Sequence, residues 1–447
     1  MGKLVLPYLY GRKKNKVITP TQKVLIVSYY WPPAGGSGVQ RWMYFAKYLK
    51  ELGWEPIVIT VKEQQASYAV WDKSLMEEVS HIRVIRTFTN EPLKWYSFLT
   101  TGSSQKGIPQ GEVKRKSFLQ KLAAYIRGNY FLPDARKGWV PFAVKAVQKV
   151  LKEESVSHLI TTGPPHSTHL VGLELKAEFN INWWVDFRDP WAELFYNTDL
   201  YRTPKTIQKD IALEQSVLKT ANGVLTTVGG KLHNQLKAKA PKQRFVSIPN
   251  GYDAELMQKI HVRKPKKIFH VVYTGLLTQN QSYDSVLEPL NKIANDIPVR
   301  LSLAGTISEE IIDHILSEYN KIELVFCGYV SHKESIKLIK TAHLLLNFIF
   351  IGAHSQMISG KILEYMATSI PILSIGSPNS DAGKFIKKGS ASKMIEASNS
   401  SEILAFLMES INTKETKRNE FLDLDNWSRK ALTKRLINEV LNAERTG

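Results

Sequence analysis

A single cysteine in 447 residues excludes a disulfide framework and a cysteine-built zinc site. No stretch approaches the roughly 20 uncharged apolar residues that a membrane-spanning helix needs. The opening "MGKLVLPYLYGRKKNK" has an apolar piece too short for a secretory signal, and its charges follow that piece instead of preceding it. Leu6 stands where myristoylation favours serine or threonine. A cytoplasmic chain is expected. Acidic residues are also few: 41 Asp and Glu face 60 Lys and Arg, a net charge of +19. That surplus suits nucleic acid, an anionic membrane surface or phosphorylated substrates. The interleaved aromatic and basic pattern of nucleic-acid readers is missing, so no nucleic-acid partner is expected.

Hydrophobic residues make up 43% of the chain, enough for proper cores, and the length calls for two or three domains. The basic residues are unevenly spread. From Lys106 to Lys137 eight Lys or Arg meet only Glu112 and Asp134, while Phe118, Leu119, Leu122, Tyr125 and Ile126 fall on one helical face. Two readings fit: a basic amphipathic helix lying on anionic lipid, and a solvated helix packed on its own domain.

Strand and helix patterns alternate almost throughout, which predicts parallel sheets covered by helices on both faces. Strands are expected at 23–29, 55–61, 82–87, 158–163, 183–188, 223–228 and 244–248, then at 269–275, 299–304, 322–327, 344–349, 371–375 and 392–396. Helices are expected at Val39–Leu52, Trp139–Glu154, Pro204–Thr220 and about Asp425 to Glu444. The fold class is therefore α/β, with two doubly wound Rossmann-like domains facing across a cleft. The boundaries divide the chain into a basic extension at 1–21, a first domain at 22–250 with a basic insertion near 88–138, a second domain at 251–424, and a helix at 425–447 crossing back to the first.

After the first strand, "SYYWPPAGGSGVQRW" at 28–42 stops the sheet with Pro32 and Pro33. Gly35, Gly36 and Gly38 then let a ligand approach the backbone, beneath the N–H groups of the following helix. A flexible turn is the plainer alternative. A dinucleotide fingerprint fails here, because Arg41 takes the place of the third glycine and the second strand ends in Thr60, Val61 and Lys62. The Walker A pattern is absent too. In "SGKILEYMATSIPILSIG" at 359–376, Glu364 begins a helix and suits both hydroxyls of a ribose, while Lys361 one turn earlier suits phosphates.

Together with "PNGYD" at 249–253 and "VVYTGLL" at 271–277, these motifs resemble those of the family 4 glycosyltransferases of the GT-B fold. "TGPPHSTHLVGLELK" at 162–176 and "WWVDFRDPW" at 183–191 resemble the bacterial surface-polysaccharide branch, and the likeness spans nearly the whole chain. It implies retaining transfer of a sugar from a nucleotide-sugar donor to a glycan or lipid-linked acceptor, with no cofactor and no obligatory metal. The implied location is cytoplasmic, with a peripheral place on the inner face of the membrane as the finer expectation.

Carried onto this chain, the likeness implies a donor site of Gly36, Gly38, Gly275, Gln356, Lys361 and Glu364. His166, Arg188 and Asp189 become the catalytic candidates, and Arg41 and Asp186 the acceptor-binding ones. An internal arginine–carboxylate brace is the other reading of the Asp186, Arg188 and Asp189 group. Three positions depart from the family pattern. Gln356 replaces the first glutamate of the paired motif, and Leu276 and Gln281 replace the two expected diphosphate cations. Lys361 or Arg188 can stand in, since one placed cation makes a charge-assisted contact to phosphate. The alternative is a catalytically silent GT-B binding protein that has lost those cations.

Overall fold

A computed structural model describes residues 22–68, 70–91, 118–193, 200–227, 229–351, 358, 360–414 and 418–443. The 1–21 extension, Gln356 and much of the basic insertion lie outside the described residues.

Two parallel sheets organise the chain. The first holds β1 (Gln22–Val27), β2 (Trp54–Val61), β3 (Arg83–Thr87), β4 (His158–Gly163), β5 (Asn182–Phe187), β6 (Gly223–Thr226) and β7 (Arg244–Ser247), in the order β3-β2-β1-β4-β5-β6-β7. The second holds β8 (Phe269–Thr274), β9 (Val299–Ala304), β10 (Glu323–Gly328), β11 (Leu344–Phe348), β12 (Ile372–Ile375) and β13 (Ser392–Ile395), in the order β10-β9-β8-β11-β12-β13. The inner strands read as unbroken apolar runs because helices cover both faces. Val24, Leu25, Ile26 and Val27 are fully buried, and β4 and β5 are buried along their length. At the edge of the second sheet β10 leaves Val325 and Phe326 exposed.

Strand order reverses between β1 and β4 in one sheet and between β8 and β11 in the other. Loops leaving the carboxyl ends of neighbouring strands diverge there, and each reversal opens a crevice for a ligand. The glycine-rich stretch follows β1, the Pro164–His166 turn follows β4, and Gly275 follows β8.

Seven helices matter for the site: α1 (Ser37–Glu51), α2 (Phe118–Tyr130), α3 (Val140–Glu153), α4 (Pro204–Thr220), α5 (His332–Lys340), α6 (Lys361–Met366) and α7 (Arg429–Leu436). The expected long terminal helix is divided. A 3-10 turn at Leu424–Trp427 comes first, Ser428 adopts an extended backbone and caps Ala431, and α7 then runs into a π-helical turn at Ile437–Leu441. The Ser428 hydroxyl satisfies a helix-end N–H, so helix starts there and not at Asp425. Leu432, Leu436, Val440 and Leu441 bury in the same core as β1 and α1, so the end of the chain packs on its beginning.

Candidate active site

Gly36 caps α1 with φ +88° and ψ 169°, a region open only to glycine, and a Cβ there would meet nothing within 4 Å. It therefore borders open space in front of the α1 N-terminus. Gly38 plays another part. Its carbonyl accepts from Arg188 Nη1 at 2.7 Å, and a Cβ would press on that guanidinium at 3.2 Å.

Arg188 also donates from Nε to the Gly163 carbonyl at 3.0 Å and from Nη2 to the Pro164 carbonyl at 2.6 Å. One guanidinium thus ties the loops after β1, β4 and β5 together. Its neighbour Asp189 has no hydrogen bond among the described residues. Burial pushes the Asp189 carboxyl above the usual carboxylate range, and the nearby Arg188 opposes that shift.

His166 stands at the end of β4, but its ring turns into the core. It is buried, donates from Nε2 to the Pro190 carbonyl at 3.1 Å, and stacks on Trp191 at 5.2 Å and 11°. Burial pushes its pKa down to about 4, so the ring is neutral at pH 7. Such a group holds the 190–191 turn in place; no face of it opens on the cleft.

Arg41 and Asp186 correct an expectation. Their side chains are 1% and 0% exposed, and no acceptor reaches them. Asp186 accepts two bonds from Arg41 Nε and one from Nη2, together with Trp42 Nε1 at 2.7 Å and Thr162 Oγ1 at 2.8 Å. Arg41 Nη1 crosses to the Ile248 carbonyl at 2.8 Å and the Asn250 Oδ1 at 3.2 Å. Every strong donor and acceptor of the pair is used internally. The pair braces α1 against β4, β5 and the 248–250 turn.

Across the cleft, the Lys361 Nζ donates to the Thr274 carbonyl at 2.7 Å and sits 3.7 Å from the Tyr273 ring centroid. A Cβ on Gly275, whose φ is +121°, would stand 3.1 Å from Nζ. No carboxylate among the described residues pairs with this lysine. Burial pushes its pKa well below the usual lysine value. Gln281, where the family pattern has lysine, points inward instead. Its Oε1 accepts from Thr278 N at 2.8 Å and its Nε2 donates to the Phe348 carbonyl at 3.0 Å, so it fastens the turn after β8 onto β11.

One turn past Lys361, Glu364 receives two partners on a single oxygen. Oε1 accepts from His332 Nε2 at 2.6 Å and from Arg429 Nη2 at 3.2 Å. Arg429 Nη2 also reaches Gln40 Oε1 at 2.8 Å, its guanidinium lies 3.7 Å from the Tyr44 ring centroid, and the Tyr44 hydroxyl is 3.3 Å from His332 Nδ1. Burial alone raises the Glu364 pKa, but His332 and Arg429 together hold it below the usual glutamate range. The side chain is 13% exposed, and Oε2 has no partner among the described residues. Helices α1, α5, α6 and α7 thus meet on one carboxylate.

His332, Gln40 and Arg429 escaped the sequence reading. His332 opens α5 just after β10, which is a weak local signal. Arg429 lies 65 positions beyond Glu364 and reaches it only because α7 folds back on α1.

The sequence matches no family model and none of the curated proteins. Solved structures of similar shape are numerous. A glycosyltransferase from Rickettsia africae shares 13% identity over 95% of this chain and 99% of its own, with a TM-score of 0.59. Anabaena HepE, solved with UDP-glucose, shares 10% over 94% and 100%, with a TM-score of 0.60. The sucrose-phosphate synthase of Thermosynechococcus elongatus shares 14% over 94% and 95%, with a TM-score of 0.56. The two facing parallel sheets are the GT-B fold of such glycosyltransferases.

Proposed function

We propose that the chain is a retaining glycosyltransferase, moving a sugar from a nucleoside-diphosphate donor to a glycan or lipid-linked acceptor. The observation that carries this is Lys361: a buried amine with no carboxylate, beside the Gly275 turn and one helical turn from Glu364. The Arg429–Gln40 contact ties that helix to α1, which begins behind Gly36. HepE, of the same fold, holds UDP-glucose, and that supports the reading.

In this arrangement Glu364 Oε2 takes a ribose hydroxyl, and the diphosphate lies between Lys361 and the N–H groups at the start of α1. Charge grows on the leaving diphosphate as the glycosidic bond breaks. An amine and backbone dipoles already aimed there stabilise it with little reorganisation. Asp189, at the mouth of β5, orients the acceptor hydroxyl, while Arg188 and His166 keep the surrounding loops in register. No cofactor and no metal enter the scheme.

The Lys361 environment sets the sign of a pH effect. The lowered pKa costs no stability above the unfolded value of about 10.4, and costs more as pH falls toward the folded-state value. A bound diphosphate favours the protonated amine and raises the pKa again, so binding takes up protons wherever the pH lies above the free-protein value. UDP titrated by calorimetry over a pH series in buffers of contrasting ionisation heat should therefore show a proton uptake that grows with pH in wild type and is smaller in Lys361→Arg. Heats independent of buffer in wild type would sink this role for Lys361. Intact UDP binding with no turnover of any nucleotide-sugar would make the chain a binding protein.

The reading also includes a place at the cytoplasmic membrane face, in surface-polysaccharide synthesis. No helix among the described residues is long and apolar enough to cross a membrane. The helix α2 docks through Gly128, which lies against Leu200, and Asn129, which bonds the Tyr201 carbonyl at 3.1 Å. Leu122, Tyr125 and Ile126 consequently face outward, and Ile207 and Ile211 of α4 are exposed too. Exposed apolar residues in a lysine-rich segment fit an anionic bilayer surface. Binding to phosphatidylglycerol vesicles should weaken as salt is added, and replacing Lys114, Arg115, Lys116 and Lys121 together with glutamine should remove most of it. Salt-independent binding, or no binding by wild type, rejects the membrane surface as partner.

A further inference from the structure

A cavity of about 940 Å³ opens where the chain crosses between its two domains. Both crossings border it: Ser247, Pro249 and Asn250 on the outward pass after β7, and Trp427 and Arg435 on the return. The helix Lys231–Lys239 of the first domain and the helix Asp381–Ile386 of the second contribute to its walls. The two meet at Asp381, whose Oδ2 accepts from Lys231 N at 2.8 Å, and a Cβ on Gly230 would collide with that carboxylate. The candidate donor groups lie elsewhere. Gly360 and Leu363, three positions apart at the start of α6, border the cavity. Lys361 and Glu364 are the next pair round the helix, and they turn to Thr274 and to His332.

The lining is lopsided in charge. Lys231, Lys384, Lys388 and Arg435 supply cations, and Asp381 is the one acidic residue among the described residues that border the space. Arg435 is already met by Glu439, its Nε donating to Oε1 at 2.8 Å, while its Nη2 reaches the Ser247 carbonyl at 3.3 Å. No carboxylate among the described residues pairs with Lys384 or Lys388. The Lys388 ammonium instead lies 5.0 Å from the ring centroid of Trp427, which keeps it at the cavity wall. Lysines brought to one space without counter-charge repel each other, and an anion between them removes that cost. Neutral amides stand beside them. Asn234 is one; Asn250 is the other, and because its Oδ1 serves Arg41, its Nδ2 is the atom left for a ligand. We propose that this cavity binds a phosphorylated sugar, apart from any nucleotide held by Lys361 and Glu364. The phosphate takes charge-assisted contacts from Lys384 and Lys388, and sugar hydroxyls pair with the amides of Asn234 and Asn250. The volume lies within the range of small-molecule sites, about 300–1,000 Å³. A neutral sugar or an acyl chain would leave the lysines unmatched, and a bare phosphate would leave the amides unused. The combination selects an anion that carries hydroxyls.

The test is calorimetry on the full chain, with and without UDP, using glucose 1-phosphate, glucose 6-phosphate and fructose 6-phosphate. Inorganic phosphate and glucose serve as controls. At least one sugar phosphate should bind saturably, about tenfold or more tighter than either control, and UDP should leave that affinity unchanged. Lys384→Gln and Lys388→Gln should each weaken it about tenfold or more, as expected when a charge-assisted contact is lost. Lys387→Gln makes the same charge change at an exposed lysine that does not border the cavity, and it should leave the affinity at the wild-type value. Melting temperatures close to wild type show that each variant is folded. Absence of binding by all three sugar phosphates overturns the site, as does inorganic phosphate that binds equally well. Equal weakening by Lys387→Gln reduces the effect to overall charge and overturns it too. Displacement of the sugar phosphate by UDP would place both ligands at the donor groups, which also rejects the separate cavity.

Discussion

Replacing Asp186 with alanine should destabilise the protein by about 3–5 kcal/mol, the cost of stranding a buried charge whose partner has gone. Arg41 would keep its guanidinium at 1% exposure with only the Ile248 and Pro249 carbonyls and Asn250 to hold it. Trp42 Nε1 and Thr162 Oγ1 would lose their acceptor as well. Denaturant unfolding should show the whole loss, with the midpoint falling and the slope little changed. Asp186→Asn is the informative companion. It preserves the shape and one oxygen, so it should lose less than alanine. If Asp186→Ala instead unfolds like wild type while acceptor affinity drops, the pair faces substrate after all and the brace is wrong.

The second large effect concerns the nucleotide. Glu364→Gln should weaken UDP by one to two decades, since hydrogen bonds to a charged group are worth about 1.5–3 kcal/mol and 1.4 kcal/mol is a factor of ten. The affinity for 2′-deoxy-UDP should change much less, because that ligand offers the carboxylate fewer hydroxyls. Equal losses for both nucleotides would show that the substitution acts through the fold and not through ribose. The same carboxylate sets a pH limit. Its pKa is held below the ordinary value by His332 and Arg429, so its contribution to stability is present above about pH 4.3 and is lost as pH falls through the lowered pKa. Acid titration of wild type should show this loss, and Glu364→Gln should not.

The sheets were legible in the sequence for a simple reason. Strands covered on both faces, such as Leu344–Phe348 and Asn182–Phe187, leave runs of apolar residues that no helix spacing imitates, and breakers mark their ends. The positions of Gly36, Gly275 and Lys361 near strand ends were legible as well, because loop chemistry after a strand is written in adjacent positions; their part in holding a donor belongs to the proposed function. What failed was the direction of side chains. Arg41 sits one helical turn inside α1 and looks like a free cation beside a ligand loop, yet its partners Asp186 and Asn250 come from strand ends far along the chain. Gln281 reads as a missing cation and is a bolt between β8 and β11.

Arg429 carries a consequence for the order in which the molecule comes into being. Both sheets are complete once Ile395 has left the ribosome, but the guanidinium that serves Glu364 as counter-ion and Gln40 as donor is made some thirty residues later. Until then, Glu364 has His332 alone, and α1 lies bare where α7 will cover it. A nascent chain can thus acquire its architecture before the Glu364 site is finished, and on the proposed function its full hold on a nucleotide comes only with Arg429.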